Sequence, residues 1–214
     1  MTKNIPIGIY KIMRYFDFNK AERTRQYIIE KAAPVFNRKG YAGTSLSDLT
    51  TATGLTKGSI YGNFKNKDEV AVSAFEHNLG FIIKNLLFNI KKADTPLHKL
   101  RAYPKTYRNI YKTVLANGGC PVLNTAADAD DLNKDLHASV LKGIEQWKTG
   151  LIHIIDKGKA HGEIKAETNA KRVAEIIISL VEGGFAMAKT TGEEGFILNA
   201  LDEVERIIAA IEQA

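Results

Sequence analysis

The polar side chains with the clearest spacing lie in residues 44–67, TSLSDLTTATGLTKGSIYGNFKNK. Ser45 followed by Asp48 fits a capping box, in which each side chain accepts a hydrogen bond from the other residue's backbone N–H at a helix N-terminus. Thr56 is a capping type in front of a second helix, and Lys57 adds a cationic donor beside it. The chemistry that these residues offer is hydrogen bonding and charge pairing with a polar partner.

Two short helices must hold these side chains. Leu46 and Leu49 give the first helix an apolar side, and Ile60 and Phe64 give one to the second, TKGSIYGNF. Gly54 lies between them, where a positive φ angle has no steric cost. Helix, tight glycine turn and helix form the unit whose second helix enters the major groove of DNA. The stretch therefore predicts a helix-turn-helix DNA-binding unit.

This stretch resembles the helix-turn-helix of the TetR family of bacterial transcriptional regulators. The family pattern G-[VL]-[ST]-x-G-x-[LI]-Y-x-x-F-x-x-K is matched by Gly54, Leu55, Thr56, Gly58, Ile60, Tyr61, Phe64 and Lys67. The chain departs from the family at Thr50 and Thr53, where alanines are frequent, at Gly62, where tyrosine or histidine is frequent, and at Val70. The resemblance is strong over residues 20–70 and elsewhere covers only helix number and length.

The resemblance implies that the second helix faces the major groove. The groove-facing set carried over from the family is Thr56, Lys57, Gly58, Ser59, Tyr61, Gly62 and Asn63. Lys57 can donate to guanine O6 or N7, and Asn63 can address a base edge or a phosphate. Thr56 has a simpler alternative role as a helix cap alone.

Phosphate contacts are expected from residues at helix N-termini. The resemblance assigns this role to Ser45 and Lys67, with Lys65, Arg23 and Arg25 as further candidates. Charge supports a polyanionic partner, because residues 1–70 hold 12 Lys and Arg against 6 Asp and Glu, whereas the rest hold 18 of each. A basic segment of this kind is typical of a nucleic-acid-binding domain.

Composition bounds the class of protein. Cys120 is the single cysteine, so no intramolecular disulfide can form and a reducing cytoplasm is the natural setting. No apolar run approaches the ~20 residues of a membrane span. The extension 1–19 lacks a signal-peptide pattern; it is either a basic arm or, if Met13 is the start, partly untranslated.

Helical spacing of apolar residues recurs along the whole chain, and no strand-like alternation appears. We expect an all-α protein of about nine helices, with three in a DNA-binding head and the rest in a C-terminal bundle. The predicted regions are an extension (1–19), a helix-turn-helix domain (20–67) and a ligand-binding and dimerisation domain (68–214). Gly40 should end the first helix, which Pro34 interrupts, and Asp130 and Asp131 should cap a long helix.

The final helices are candidates for a homodimer interface, which two-fold DNA half-sites would require. The last helix carries an apolar seam of Ile197, Leu201, Val204, Ile208 and Ile211, and the Gly183 and Gly184 pair in the preceding helix permits close approach. Packing within one chain is the alternative explanation of both features.

The C-terminal part of the resembling family usually binds a small molecule. Candidate pocket residues are Tyr103, Tyr107, Tyr111, Cys120, Trp147, Phe185 and Met187, although such a set also fits an ordinary core. Cys120 lies in GGCPVLN, which is similar to a G-C-[PL] stretch of one TetR subgroup. A redox-sensing thiol and a small buried hydrophobe are the two interpretations of this cysteine.

Signals of catalysis are absent from the sequence. The five histidines show no metal-ligand spacing, no phosphate loop is present, and the acidic cluster at Asp128, Asp130 and Asp131 fits a solvated helix cap better than a cation site. We expect no catalytic residue, metal or cofactor. The sequence favours a ligand-responsive regulator, most simply a repressor that a small molecule releases from a palindromic operator. An effector-free DNA-binding module and an enzyme on a helical scaffold are the alternatives.

Overall fold

The computed structural model describes residues 19–129 and 133–213; the expectations for residues 1–18, Asp130 and Asp131 lie outside them. The described residues form nine helices and no strand beyond one isolated antiparallel bridge, which confirms the all-α fold class. The helices are α1 (Lys20–Gly43), α2 (Leu46–Thr53), α3 (Lys57–Tyr61), α4 (Lys67–Lys92), α5 (Pro96–Ala116), α6 (Pro121–Ala129), α7 (Lys134–Ala160), α8 (Ala170–Thr191) and α9 (Gly195–Ile211).

Helix α1 begins and turns where its sequence indicates. The Asn19 side chain accepts from the Glu22 backbone N–H, and the Glu22 carboxylate accepts from the Asn19 backbone N–H, which completes a capping box. The regular helix is interrupted at Gly40, whose φ of 73° lies in the left-handed region. The predicted end at Gly40 is therefore confirmed, and residues after it form a short helical turn. Pro34 is accommodated inside the helix.

Helix α4 connects the DNA-binding head to the bundle. Its first turns bury Val70, Ala74 and Phe75, and α1 is among its main packing partners. Its second half buries Ile82 and Leu86, and α5 and α7 pack against the same helix. The buried side chains form one continuous hydrophobic cluster. The boundary after Lys67 therefore falls at the start of a helix that serves both regions.

The long helix α7 is capped by a residue that the sequence interpretation overlooked. The Asn133 side chain accepts from the Leu136 backbone N–H at 2.9 Å, so the helix begins at Lys134. Asn133 is itself 7% exposed, and its position fixes the start of the helix in the core. The assignment of this cap to the preceding aspartates was wrong.

The apolar seam of α9 packs within the chain. Ile197, Leu201, Val204 and Ile208 are at most 1% exposed. A Cβ at Gly184 would lie 2.9 Å from the Ala200 Cβ, so this glycine allows α8 and α9 of one chain to approach closely. The intrachain alternative is thus correct for the seam, and any dimer must use other faces of these helices.

Within the described ranges, each helix is either too short or too polar to cross a bilayer. No group of three or more His, Cys, Asp and Glu side chains in those ranges could hold a metal ion.

Candidate functional site

The first helix of the helix-turn-helix, α2, is fixed at its N-terminus by the predicted capping box. The Ser45 hydroxyl accepts from the Asp48 N–H at 3.1 Å, and the Asp48 carboxylate accepts from the Ser45 N–H at 2.8 Å. The Lys39 ammonium also lies 2.5 Å from this carboxylate. This contact, together with the bonds from Ser45, lowers the pKa of Asp48 well below its usual range. Ser45 remains exposed, next to the N–H groups of the helix.

The turn between α2 and α3 depends on Gly54. Its φ of 67° places it in the left-handed region, and its N–H donates to the Thr50 carbonyl at 2.9 Å. The Tyr27 hydroxyl of α1 donates to the Thr53 carbonyl at 2.9 Å, so a carbonyl at the C-terminal end of α2 that has no partner within the helix is hydrogen-bonded. Thr56 follows the turn, and its side chain accepts from the Ser59 N–H and caps α3.

Helix α3 is shorter than the sequence pattern predicts, because it ends at Tyr61 and the next two residues form a turn. Its buried side is Ile60, with Phe64 after the turn, as expected. Of the groove-facing candidates, Thr56, Lys57, Gly58, Ser59 and Gly62 are exposed, whereas Tyr61 and Asn63 are half-buried. The polar and small residues therefore share one outer face, on which a partner can reach both side chains and backbone.

Arg25 has an internal role instead of the expected phosphate contact. Its guanidinium donates to the Asn63 carbonyl at 2.5 Å and to the Glu69 carboxylate at 2.8 Å, and it lies 3.9 Å above the centre of the Phe64 ring. These contacts join α1, the end of α3 and the start of α4. Arg25 therefore holds the C-terminal end of α3 against α1 and α4.

Lys67 is the first residue of α4. Asn66 caps this helix, because its side chain accepts from the Glu69 N–H at 2.9 Å. The Lys67 ammonium lies 4.3 Å above the centre of the Tyr41 ring, whose hydroxyl donates to Asp68. The ring orients the ammonium without neutralising it. Among the described residues, Lys57 makes no ion pair, so its positive charge is available to a partner.

The bundle contains a cavity of about 220 Å³ between α4, α5 and α7. It is lined by Leu79, Ile82, Ile83, Leu86, Leu87, Ile90, Tyr103, Tyr107, Cys120, Val122, Gly143, Gln146, Trp147 and Gly150. Four of the candidate pocket residues thus lie together in its wall. The sequence interpretation missed the glycines of α7, although Gly143, Gln146, Trp147 and Gly150 follow the three- and four-residue spacing of one helix face.

The other pocket candidates lie outside this cavity. Tyr111 is turned away, and its hydroxyl donates to the Glu194 carboxylate at 2.8 Å. Phe185 is buried behind the wall, where its ring packs edge-on against Tyr107 at 5.9 Å between centres. Met187 is 44% exposed on the outer face of α8.

Cys120 forms a buried polar pair with Glu182. Its thiol donates to the Glu182 carboxylate, with the sulfur 2.9 Å from the oxygen. Burial raises the pKa of the Cys120 thiol well above its ordinary value, and burial also raises the pKa of Glu182 to about 7. Because thiolates and not thiols react with oxidants, this environment is unfavourable for a redox sensor. This environment supports the interpretation of Cys120 as a small buried hydrophobe.

A buried amide links the loop before Cys120 to the head. The Asn37 side chain of α1 is 5% exposed and donates to the carbonyls of Asn117 and Gly119 at 2.7 and 3.0 Å. The Asn124 amide of α6 donates back to the Asn37 side-chain oxygen at 3.1 Å. At the other end of α6, Asp128 accepts from the Ala42 N–H at 3.0 Å. The cavity loop and α6 are thereby joined to the end of α1.

The three-helix head and the exposed polar face of α3 define a helix-turn-helix DNA-binding protein. Two family models match the chain. "Bacterial regulatory proteins, tetR family" covers residues 28–74, and "Tetracyclin repressor-like, C-terminal domain" covers residues 96–204, about half of the chain. The chain therefore belongs to the TetR family, and it is a DNA-binding transcriptional regulator and not an enzyme.

Individual relatives agree with this assignment. The crystal structure of a TetR-family transcriptional regulator from Cytophaga hutchinsonii is 41% identical, with a TM-score of 0.85 over 92% of this chain and 98% of that one. A TetR transcriptional regulator from Chloroflexus aurantiacus J-10-FL is 30% identical, with a TM-score of 0.84 over 92% and 100% of the two chains. The HTH-type transcriptional repressor DhaR of Mycobacterium sp. (strain GP1) is 25% identical over 77% of this chain and 82% of that protein.

Proposed function

We propose that this regulator is a repressor that binds a palindromic operator as a homodimer in the cytoplasm and is released by a small molecule. The observation that carries the DNA-binding part is the outer face of α3, where Lys57, Gly58 and Ser59 are exposed together. Exposed Ser45 and the ring-oriented Lys67 flank this face at two helix N-termini, where phosphates bind favourably.

Release by a small molecule is supported by the cavity and by the polar link to the head. Cys120 lines the cavity and immediately follows Gly119, whose carbonyl is bound by Asn37 of α1. A ligand that alters this loop would bias the position of α1 and of the helices packed on it. Operator affinity would fall only to the extent that the ligand prefers the non-binding arrangement.

Dimerisation would use the face of α8 that the chain leaves open. Ile176 and Met187 are 37% and 44% exposed, and a Cβ at Gly183 would meet no atom within 4 Å. With the half-buried Leu180, these residues are spaced by four, three and four positions, which is one stripe of a helix. Two heads related by the resulting two-fold axis would reach major grooves about 34 Å apart.

Selection of bound duplexes from random DNA tests this proposal. We expect enrichment of a palindrome whose half-sites lie about one helical turn apart. Sedimentation of the protein with the selected duplex should give two protomers on each site. Failure to enrich any duplex would contradict the DNA-binding role, and a single protomer on an asymmetric site would contradict the dimer.

A further inference from the structure

The cavity has two chemically different walls. The α4 wall is aliphatic and consists of Leu79, Ile82, Ile83, Leu86, Leu87 and Ile90. The opposite wall carries the polar atoms of Tyr103, Tyr107, Gln146 and Trp147, on α5 and α7. A ligand that satisfies both walls must be mostly apolar and must present its polar group to α5 and α7.

Two tyrosine hydroxyls of the polar wall make no hydrogen bond with the described residues. Tyr103 and Tyr107 are 7% and 2% exposed, and neither hydroxyl hydrogen-bonds to another described residue. The Tyr103 oxygen is at the cavity surface, 3.6 Å from the position of a Cβ on Gly150. The Trp147 indole N–H is buried and also has no acceptor among the described residues. Because buried donors are nearly always paired, this wall fits a ligand that brings an acceptor.

The dimensions favour a short chain over a compact ring system. The α4 residues Leu79 and Ile90 that bound the aliphatic wall are separated by about 16 Å along a helix that rises 1.5 Å per residue. The volume of about 220 Å³ is roughly half again that of the ~150 Å³ cavity known to hold benzene. A long cavity of this volume accommodates a straight chain of about nine non-hydrogen atoms.

The cavity disfavours an anion. None of its described lining residues is charged, so a buried carboxylate would have no cation beside it. The Glu182 carboxyl, which accepts a hydrogen bond from the lining residue Cys120, would repel an anion when ionised. Tyrosine hydroxyls can bind a neutral carbonyl without this penalty.

We propose that the cavity binds a neutral, straight-chain molecule of medium length with one carbonyl acceptor near its end, such as a ketone. The carbonyl lies at Tyr103 and Tyr107, and the chain runs along the α4 wall. This inference rests on the proposed effector role of the cavity and narrows it to one class of ligand.

Binding can be followed in the full-length protein without DNA, because Trp147 is the single tryptophan of the chain and lines the cavity. The probes are 2-octanone, n-nonane supplied from saturated buffer, and heptanoate, which match in non-hydrogen atoms and differ in acceptor and charge. We expect 2-octanone to change the fluorescence at least about tenfold below the concentration that heptanoate requires, since burial of an unpaired charge is costly.

Single hydroxyl deletions locate the acceptor. Tyr103→Phe or Tyr107→Phe should weaken 2-octanone binding about three- to tenfold and leave n-nonane unchanged, as expected for loss of one hydrogen bond. Tyr111→Phe is the matched control, because this tyrosine lies on the same helix but outside the cavity, and it should alter neither ligand.

Three results would overturn the inference: heptanoate binding as tightly as 2-octanone, equal loss of ketone and alkane in the Phe variants, or no response to any probe. If the protein selects an operator but does not bind 2-octanone, only the proposed ligand class is contradicted. If the protein binds 2-octanone but no duplex, the proposed regulatory function is contradicted instead.

Discussion

The head and the bundle differ in how their candidate sites are assembled. In the head, the outer face of α3 and its flanking contacts come from residues 45–67, and most of these side chains are exposed and polar. In the bundle, the cavity wall draws on residues between Leu79 and Gly150, and nearly all of it is apolar. The candidate site of the head consists of side chains on its surface, whereas the candidate site of the bundle is a cavity between its helices. The surface site should therefore be sensitive to added bulk, and the link between the head and the cavity should be sensitive to lost hydrogen bonds.

Added bulk on the outer face of α3 gives the largest expected effect. Apart from its two chain neighbours and the backbone of its own helix, a Cβ at Gly58 would meet no atom closer than the Thr56 hydroxyl oxygen at 3.9 Å, so Gly58→Val should fold normally. It should nevertheless weaken operator binding by about 100-fold or more, because the branched side chain would hold the backbone away from DNA. Fluorescence anisotropy with the selected operator measures this change.

Gly80→Val is the matched control for Gly58, since Gly80 also faces open space but lies in α4, away from the head surface. It should bind DNA normally. Equal operator affinity of the Gly58 variant and the unmodified protein would show that α3 does not face the groove.

The polar link between the two regions should contribute measurably to stability. Asn37→Ala removes the side-chain donor to the Asn117 carbonyl and to the buried Gly119 carbonyl, so the free energy of unfolding should fall by about 2–3 kcal/mol. Asn85→Ala, which removes one bond within α4, should cost less than about 1 kcal/mol. Urea denaturation compares the two variants, and a cost for Asn37 no larger than that for Asn85 would contradict the linking role.

Glu182 should make stability depend on pH. Burial raises its carboxyl pKa from 4.5 to about 7, so the folded state binds more protons than the unfolded state between these values. Stability is therefore lost as the pH rises through this window. Glu182→Gln keeps an acceptor for Cys120 but cannot ionise, and it should be more stable than the unmodified protein by about 1–3 kcal/mol near pH 8. Near pH 5 the gap should largely close.

Urea denaturation at both pH values measures this difference. Glu175→Gln, an exposed carboxyl on the same helix, should produce no such pH-dependent gap. A gap for Glu182 that is the same at both pH values would mean that the carboxyl is not protonated in the folded protein.

The same difference between the regions explains what the sequence could predict. The caps at Ser45 and Thr56 and the turn at Gly54 are local features, each decided by residues within about one helical turn, and all three were predicted. Helix number and type followed from apolar spacing. The head could thus be assigned nearly residue by residue.

The contacts of the bundle could not be assigned residue by residue, because they depend on packing between helices that are distant in sequence. Tyr103, Tyr107 and Tyr111 share one helix face in the sequence pattern, yet eight residues turn a helix by about 80°, and Tyr111 leaves the cavity for Glu194. The α9 seam has the same spacing whether it meets α8 of its own chain or a partner. Arg25 looked like a surface cation because its partners, Asn63 and Glu69, are about 40 residues away.

The smallest expected effects separate two lysines within the head. Lys57 is exposed on α3, which we propose faces the major groove, so Lys57→Ala should change which operators are preferred, with about 1–3 kcal/mol lost at the base pair that it contacts. Lys67 is at a helix N-terminus beside the Tyr41 ring. Lys67→Ala should weaken all duplexes alike and reduce the slope of log affinity against log salt by about one.

Binding of the selected operator and of base-substituted duplexes at several salt concentrations distinguishes the two lysines. If Lys67→Ala leaves binding and salt slope unaltered on every duplex, its ammonium does not contact a phosphate and serves only to pack on Tyr41. If Lys57→Ala weakens all duplexes equally, it contacts the backbone, and base recognition must come from Ser59 and Asn63. Because the loss of either cation should weaken binding, the salt slope and not the size of the loss decides between these roles.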